Sequence, residues 1–308
     1  MTVDLRAAAA EYLGERRARG YRLADHGWLI TAFLDRMAAD GVTTITMADA
    51  IAFAQERPWI GRRWQATRLR VVRGFAIYVR GLDAAAAELI PAGLISAPVT
   101  RRTPYLYSTE QIVQLMTRAA ALLPPLLGTS MHTLIGLLAA TGLRSGEAVA
   151  LNIEDLCMDQ GVMKVTGKYG KERLVPLHPT TMEALADYQQ VRRYRAAPTG
   201  PLLIGARGDR LNLNTARAAF RIIADDCRLP DRPGCGKPRL HDLRHAFAVN
   251  SLIEAHRQRA NVDARLAALA NYLGHVNPAN TYWYLTASPE LMAVVSDRIS
   301  AHQKRGPR

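Results

Sequence analysis

Cysteine is scarce in this sequence of 308 residues. The three cysteines, Cys157, Cys227 and Cys235, form an odd set without a Cys-x-x-Cys pair. This pattern argues against a disulfide framework and against a zinc site, and it is typical of proteins in a reducing cytoplasm. We therefore expect a cytoplasmic protein.

Long apolar segments are also missing. A membrane-spanning helix needs roughly 20 apolar residues, and the best apolar run, residues 134–143, is about half that length. Near the amino terminus, Asp4 and a short alanine run are too weakly apolar to predict a signal peptide. The sequence thus predicts no membrane partner.

Motifs for common cofactors are absent as well. The sequence has no Gly-x-x-x-x-Gly-Lys-Ser/Thr loop to hold nucleotide phosphates. It also has no evident cluster of acidic residues to hold Mg²⁺. We expect neither a metal nor an organic cofactor. Only five phenylalanines are present whereas alanine is abundant, which favours helices over sheets.

Positive charge is what the chain has in excess, with a formal net charge of +13. Such an excess predicts a polyanionic partner, and nucleic acid is favoured because lysine and arginine release counterions from phosphates. An ordinary basic enzyme is the alternative. Residues 1–98 carry 13 arginines, no lysine and 10 acidic residues, so residues 99–308 supply most of the net charge.

Apolar spacing predicts a mainly α fold with a small β-hairpin or sheet, in two domains. Residues 1–98 are predicted to form a helical domain, residues 99–106 a linker, and residues 107–308 a second domain. In the second domain we expect helices near residues 109–123, 129–141, 180–195, 213–227, 241–256, 263–273 and 288–303. Two short strands are predicted at residues 162–166 and 173–177.

The last helix of the first domain, at about residues 62–80, is rich in arginine and has no acidic residue. We expect it to contact DNA phosphates, with a solvated helix face as the alternative. The candidate contacts are Arg62, Arg63, Arg68, Arg70 and Arg73.

Arg144 stands between a helix end and a helix start, in Thr141-Gly142-Leu143-Arg144-Ser145-Gly146-Glu147. Amide hydrogens at a helix start favour an anion, and the guanidinium fork matches phosphate oxygens. Glu147, one turn later, is placed to orient that guanidinium. An ordinary surface Arg–Glu pair is the alternative.

A second basic segment reads Arg239-Leu240-His241-Asp242-Leu243-Arg244-His245. Residues three apart on a helix share a face, so His241 and Arg244 offer an imidazole and a bidentate donor to the same phosphate. The alternative is a structural arginine paired with Asp242 or Glu254.

Three more candidates follow from position. Lys168 lies in the turn between the two predicted strands. The alternative is that it is an exposed lysine without a role. His275 follows Gly274 at a predicted helix end, and Tyr284 comes nine residues after His275. Core packing is the alternative for Tyr284. A phenol has a pKa near 10, so a nucleophilic tyrosine needs a base such as His241.

In their order along the chain, these segments resemble the boxes of the tyrosine recombinase (phage integrase) family. The resemblance implies a helical DNA-binding domain followed by a catalytic domain with a β-hairpin. It also implies a catalytic set of six residues: Arg144, Lys168, His241, Arg244, His275 and Tyr284.

Two of these assignments have an alternative residue nearby. The family hairpin commonly reads Gly-Lys-Gly-x-Lys, whereas Tyr169 replaces the second glycine here, so Lys171 is an alternative to Lys168 as the general acid. Lys171 is otherwise a candidate DNA contact. Tyr282 is the alternative to Tyr284 as the nucleophile.

The resemblance further implies site-specific recombination of double-stranded DNA in the bacterial cytoplasm, at the nucleoid when bound. Tyr284 would form a 3′-phosphotyrosyl link, and a homotetramer on two DNA sites would exchange strands through a Holliday junction, with accessory or sister recombinases as further partners. The segment 276–284 is similar to integrases of mobile elements. A type IB topoisomerase and a non-catalytic DNA-binding protein remain alternatives.

Overall fold

The structure is a computed structural model that describes residues 3–21, 23–57, 59–97, 103–167, 170–232, 234–258 and 261–274. The chain divides into two compact units, residues 1–101 and 102–308. Each unit encloses its own apolar core, the first around residues such as Phe33 and Phe75 and the second around residues such as Leu134 and Leu243.

The described part of the first unit contains four helices, α1 (Leu5–Ala18), α2 (Ala24–Ala39), α3 (Met47–Gln55) and α4 (Arg62–Leu82). Side-chain caps begin two of them. Asp4 accepts from two amides at the start of α1, and Thr46 accepts from the amide of Asp49 at the start of α3. Phe33 and Phe53 meet edge to face with ring centroids 5.3 Å apart, which joins α2 to α3.

The arginines of α4 do not share one environment. Arg62, Arg63 and Arg70 are exposed. Arg68 is only 2% exposed; its guanidinium lies 3.9 Å from the centre of the Phe53 ring and donates to Glu56 Oε2 at 2.9 Å. The predicted phosphate contact is therefore wrong for Arg68, because its side chain belongs to the core of the first unit.

The described part of the second unit is mostly helical and carries one small sheet. Its helices are α5 (Thr109–Ala120), α6 (Pro125–Thr141), α7 (Ser145–Ala150), α8 (Pro179–Arg192), α9 (Leu213–Asp226), α10 (Leu240–Arg257) and α11 (Val262–Leu273). The strands are β1 (Leu156–Cys157), β2 (Val162–Thr166) and β3 (Glu172–Pro176). The predicted fold class, mainly α with a small sheet, is confirmed.

The sheet is antiparallel in the order β1-β2-β3. Residue Val162 pairs with Pro176 and Thr166 pairs with Glu172, so β2 and β3 form the predicted hairpin. The strand β1 was not predicted, because two residues are too few to show an alternating pattern.

Local chemistry explains the helix ends around the second core. Ser108 and Gln111 form a capping box that begins α5. The helix α6 begins at Pro125, earlier than predicted, because proline is well suited to the first helical position. It carries Leu134, Ile135 and Leu138 into the core, and α10 packs against it. Among the described residues, no helix is both long and apolar enough to cross a membrane.

Candidate active site

Arg244 is the most deeply buried cation of the site, with 1% of its surface exposed. From α10, its Nη1 donates to the carbonyl oxygen of Gly142 at 2.8 Å and its Nη2 donates to that of Leu273 at 2.7 Å. A buried guanidinium needs such partners to offset its desolvation. Arg244 thereby ties α10 to the end of α6 and to the end of α11.

Gly142 makes this contact possible. It ends α6 with φ +61°, a left-handed conformation that favours glycine. A Cβ built on it would lie 2.4 Å from Cδ1 of Phe247, closer than any real contact. The position therefore requires glycine both for its backbone conformation and for the close approach of α10.

Arg144 lies at the N-cap of α7, two residues after Gly142. Its Nη1 donates to Glu147 Oε1 at 2.8 Å, as the sequence predicted, and its Nη2 lies 3.4 Å from the carbonyl oxygen of Gly274. About a third of its side chain is exposed. Arg144 is thus held in place on one side and open to solvent on the other.

Glu147 is buried between two arginines. Its side chain is 7% exposed and accepts from Arg144 and also from Arg173, whose Nη2 lies 2.8 Å from Oε2. Burial alone would raise the pKa of Glu147, but the hydrogen bonds from Arg173 and Arg144 outweigh it and lower that pKa to about 2. The carboxylate is therefore ionised at neutral pH. Sequence reasoning missed Arg173 entirely.

His241 lies in the first turn of α10, three residues before Arg244, and its ring lies across the ring of His245 with centroids 4.9 Å apart. His241 as a residue is exposed to solvent, yet neighbouring protein atoms desolvate its imidazole. That desolvation, followed by the charges of Arg244, Arg239 and Arg144, lowers the pKa of His241 to about 4. The imidazole is therefore neutral at pH 7 and able to accept a proton.

Asp242 supports the start of α10. It is 1% exposed and accepts from the backbone amide, Nε and Nη2 of Arg239 at 3.0, 3.2 and 2.8 Å. The hydroxyl of Tyr107 donates to the carbonyl oxygen of Arg239 at 3.0 Å. These contacts fix the first turn of α10, which carries His241.

The described residues bring Arg144, Arg244 and His241 to one place, between the ends of α6 and α11 and the start of α10. Lys171 is exposed at the hairpin, and its carbonyl oxygen accepts from the amide of Gly167 at 2.7 Å. The other site residues predicted from the sequence lie outside the described residues: Lys168, His275, Tyr284, the alternative Tyr282 and the helix at 288–303. Within the described ranges, no group of three or more His, Cys, Asp or Glu side chains is arranged to hold a metal ion.

Sequence comparisons identify proteins that are similar to this chain. A sequence profile of the phage integrase family matches residues 107–290. The chain is 36% identical to protein y4rB of Sinorhizobium fredii, which is named as an integrase/recombinase, over 96% of each chain. It is 31% identical to the tyrosine recombinase XerC of Rhodospirillum centenum, over 93% of this chain and 82% of that protein.

The fold is similar to that of solved structures as well. The Tn1549 transposon integrase, in complex with a circular intermediate DNA, superimposes with a TM-score of 0.63 at 14% identity. The match covers 95% of this chain and 99% of that one. At this level of identity the likeness shows a common fold.

Proposed function

The chain belongs to the phage integrase family and is a tyrosine-type site-specific recombinase; from this premise we propose that it breaks DNA strands with Tyr284 and rejoins them through a 3′-phosphotyrosyl intermediate. The observation that carries the proposal is the convergence of Arg144, Arg244 and a neutral His241 at the ends of three helices.

The two arginines supply the binding site for the scissile phosphate. Guanidinium groups match phosphate oxygens in geometry and stay charged at all working pH values. In the transition state the nonbridging oxygens gain negative charge, which Arg144, Arg244 and His275 stabilise. A preorganised donor of this kind typically contributes on the order of 100-fold in rate. The cations already surround the phosphate, so the proposed reaction requires no divalent metal.

His241 is the general base. The phenol of Tyr284 loses its proton to the neutral imidazole as its oxygen attacks phosphorus, and the bond between phosphorus and the 5′ oxygen breaks. Lys168 gives a proton to that leaving oxygen and frees a 5′ hydroxyl. One proton is thus accepted and one donated, and a phosphotyrosyl bond replaces a phosphodiester bond.

Strand exchange follows from the energy that the new bond retains. A 5′ hydroxyl from a partner strand attacks the phosphotyrosine and restores a phosphodiester, so no nucleotide triphosphate is consumed. Two such exchanges, in a tetramer on two DNA sites, pass through a Holliday junction. We infer a cytoplasmic location, which is supported by the small, odd set of cysteines without a Cys-x-x-Cys pair.

The first unit is proposed to bind DNA with α4. Of the exposed arginines of this helix, Arg62, Arg63 and Arg70 are the proposed contacts. Arg73 is half-buried and donates from Nε to the carbonyl oxygen of Ile90 at 2.9 Å. Arg68 does not belong to this surface, because its guanidinium packs on the ring of Phe53 and pairs with Glu56 inside the first unit. Contacts of this kind bind DNA without reading its sequence.

A trapping experiment tests the proposal. The purified chain is incubated with sheared DNA of the organism that encodes it, covalent protein–DNA adducts are recovered after denaturation, and the attached strands are sequenced. We expect one sequence to be enriched with the protein on its 3′ phosphate. Tyr284→Phe should form no adduct but retain DNA binding, whereas Tyr282→Phe, the matched control, should still form it. An unchanged adduct with Tyr284→Phe would overturn the proposal.

A second assay separates recombination from topoisomerase activity. Supercoiled plasmids carrying one or two copies of the recovered sequence are incubated with the protein. A recombinase exchanges strands only between two copies. Relaxation of the one-copy plasmid without exchange between two copies would instead favour a type IB topoisomerase.

A further inference from the structure

Arg173 connects three elements of the second unit. From β3, its Nη2 donates to Glu147 Oε2 in α7 at 2.8 Å, and its Nε donates to the carbonyl oxygen of Tyr272 in α11 at 3.0 Å. Only 16% of its side chain is exposed. The β2–β3 hairpin is therefore fastened by one side chain to the carboxylate that orients Arg144 and to the end of α11.

The same guanidinium lies against two glycines. A Cβ built on Gly167 would lie 3.7 Å from Arg173 Nη1 and 3.7 Å from Glu147 Oε1. A Cβ built on Gly274 would lie 3.4 Å from Arg173 Nη1. Gly167 immediately precedes Lys168 in the sequence, and Gly274 immediately precedes His275. Arg173 thus contacts the chain next to two of the predicted catalytic residues.

Three consecutive carbonyl groups at the end of α11 each accept from a different arginine. Arg173 binds that of Tyr272, Arg244 that of Leu273, and Arg144 that of Gly274. Cations at a helix C-terminus interact favourably with the helix dipole. Arg144 and Arg244 belong to the proposed phosphate site, whereas Arg173 approaches the same helix end from the hairpin.

We propose that Arg173 is a positioning residue for the general acid of this reaction. By bridging Glu147 and the end of α11, it holds the Gly167 end of the hairpin beside the phosphate-binding arginines, so that the lysine of the hairpin reaches the leaving 5′ oxygen. This inference rests on the proposed function, because it assumes that the hairpin lysine protonates that oxygen.

The chemistry of the contact requires arginine. The planar fork of a guanidinium donates in two directions at once, here to a carboxylate and to a backbone carbonyl. A lysine at position 173 keeps the charge but places one compact ammonium group, which cannot hold both partners in this geometry. Arg173→Lys therefore keeps the positive charge but removes the bridge between Glu147 and the carbonyl oxygen of Tyr272.

The test compares two leaving groups on the DNA sequence recovered by adduct trapping. One duplex carries the natural phosphodiester, and the other carries sulfur in place of the bridging 5′ oxygen. A thiol has a pKa near 8.5, far below that of an alcohol, so a thiolate leaves without a general acid. Single-turnover cleavage is measured for the wild type, Arg173→Lys and a control, with DNA affinity and melting temperature measured for each.

Arg192→Gln is the matched control. Arg192 is 1% exposed and binds the backbone carbonyls of Pro201, Ala197 and Thr199, none of which belongs to α7, α10 or α11. This variant should lose stability to a similar or greater extent. Any loss of cleavage rate in this variant should be the same on the two duplexes.

We expect Arg173→Lys to cleave the natural duplex about 100-fold more slowly than the wild type, the size of effect known for a misplaced catalytic group. On the sulfur-containing duplex it should come within about fivefold of the wild type. Equal losses on both duplexes, or no loss on either, would overturn the role of Arg173 while leaving the proposed function intact. If the wild type cleaved neither duplex, both proposals would fail. Should Arg173→Lys not fold, Arg173→Gln provides the same comparison.

Discussion

Arg144 and Arg244 bind adjacent carbonyl oxygens at the end of α11, those of Gly274 at 3.4 Å and Leu273 at 2.7 Å. The two arginines come from segments 100 residues apart, and one helix end brings their guanidinium groups together. They differ in burial, since Arg244 is 1% exposed while the side chain of Arg144 is 32% exposed. Because of this difference in burial, we expect substitutions of the two arginines to differ in their effect on stability.

Arg244→Lys should impair both cleavage and stability. A lysine cannot reach the carbonyl oxygens of Gly142 and Leu273 at the same time, which leaves buried acceptors without partners. We expect cleavage to slow by about 100-fold or more and the melting temperature to fall. Arg144→Lys should slow cleavage to a similar extent with a smaller loss of stability, because its side chain is partly solvated. Equal losses of stability in the two variants would contradict this prediction.

The lowered pKa of His241 predicts a specific loss of stability in acid. In the unfolded chain the imidazole binds a proton at its usual pKa of 6.5, whereas in the folded chain it does so only near pH 4. The unfolded state therefore binds more protons between these values. The contribution of neutral His241 to stability is fully present above pH 6.5 and is lost as the pH falls from 6.5 to about 4.

Urea unfolding at several pH values in that window measures this effect. The free energy of unfolding of the wild type should fall more steeply with decreasing pH than that of His241→Gln, which has no titrating group at the position. Parallel pH profiles for the two proteins would show that His241 has an ordinary pKa in the folded chain.

Cleavage of the sulfur-containing duplex shows which hairpin lysine, Lys168 or Lys171, is the general acid. Lys168→Ala should cleave the natural duplex about 100-fold or more slowly, within the range known for general acid catalysis. It should recover most of its rate when the leaving group is a thiolate. Lys171→Ala, the matched control, should lower DNA affinity without a difference between the two duplexes. The reverse pattern would assign the general acid to Lys171.

The salt dependence of DNA binding tests the surface of α4. Arg63→Ala should reduce the slope of log affinity against log salt concentration by about 1, since one phosphate contact is lost. Arg68→Ala should leave that slope unchanged but destabilise the first unit, because Arg68 packs on Phe53 and pairs with Glu56. A reduced slope with Arg68→Ala would mean that this arginine reaches DNA despite its burial.

The burial of Arg68 was readable from the sequence. It lies four residues before Val72 and seven before Phe75, and both are fully buried. Residues at these intervals share a helix face, so Arg68 belongs to the apolar stripe of α4. The prediction that Arg68 contacts DNA did not take that periodicity into account. Arg63 and Arg70 fall away from the stripe, and Arg62 is exposed at the first position of the helix.

Arg173 shows a different limit of sequence reasoning. It lies two residues before the buried Val175 in β3, so the two side chains share the inner face of the strand. Its partners do not follow, because Glu147 is 26 residues away and Tyr272 is 99 residues away. The helices, the hairpin and the Arg144–Glu147 contact depend on local patterns and were predictable. The junction of β3, α7 and α11 depends on packing, which no local pattern contains.

The proposed active site also depends on Gly142, a residue that has no functional group of its own. A Cβ there would overlap the ring of Phe247 in α10, so either that side chain or the helix that carries it would have to move. A movement of α10 would displace both His241 and Arg244, while every polar side chain of the site kept its chemical identity. We therefore expect inactive variants at this apolar contact as well as among the residues proposed to handle protons and phosphate.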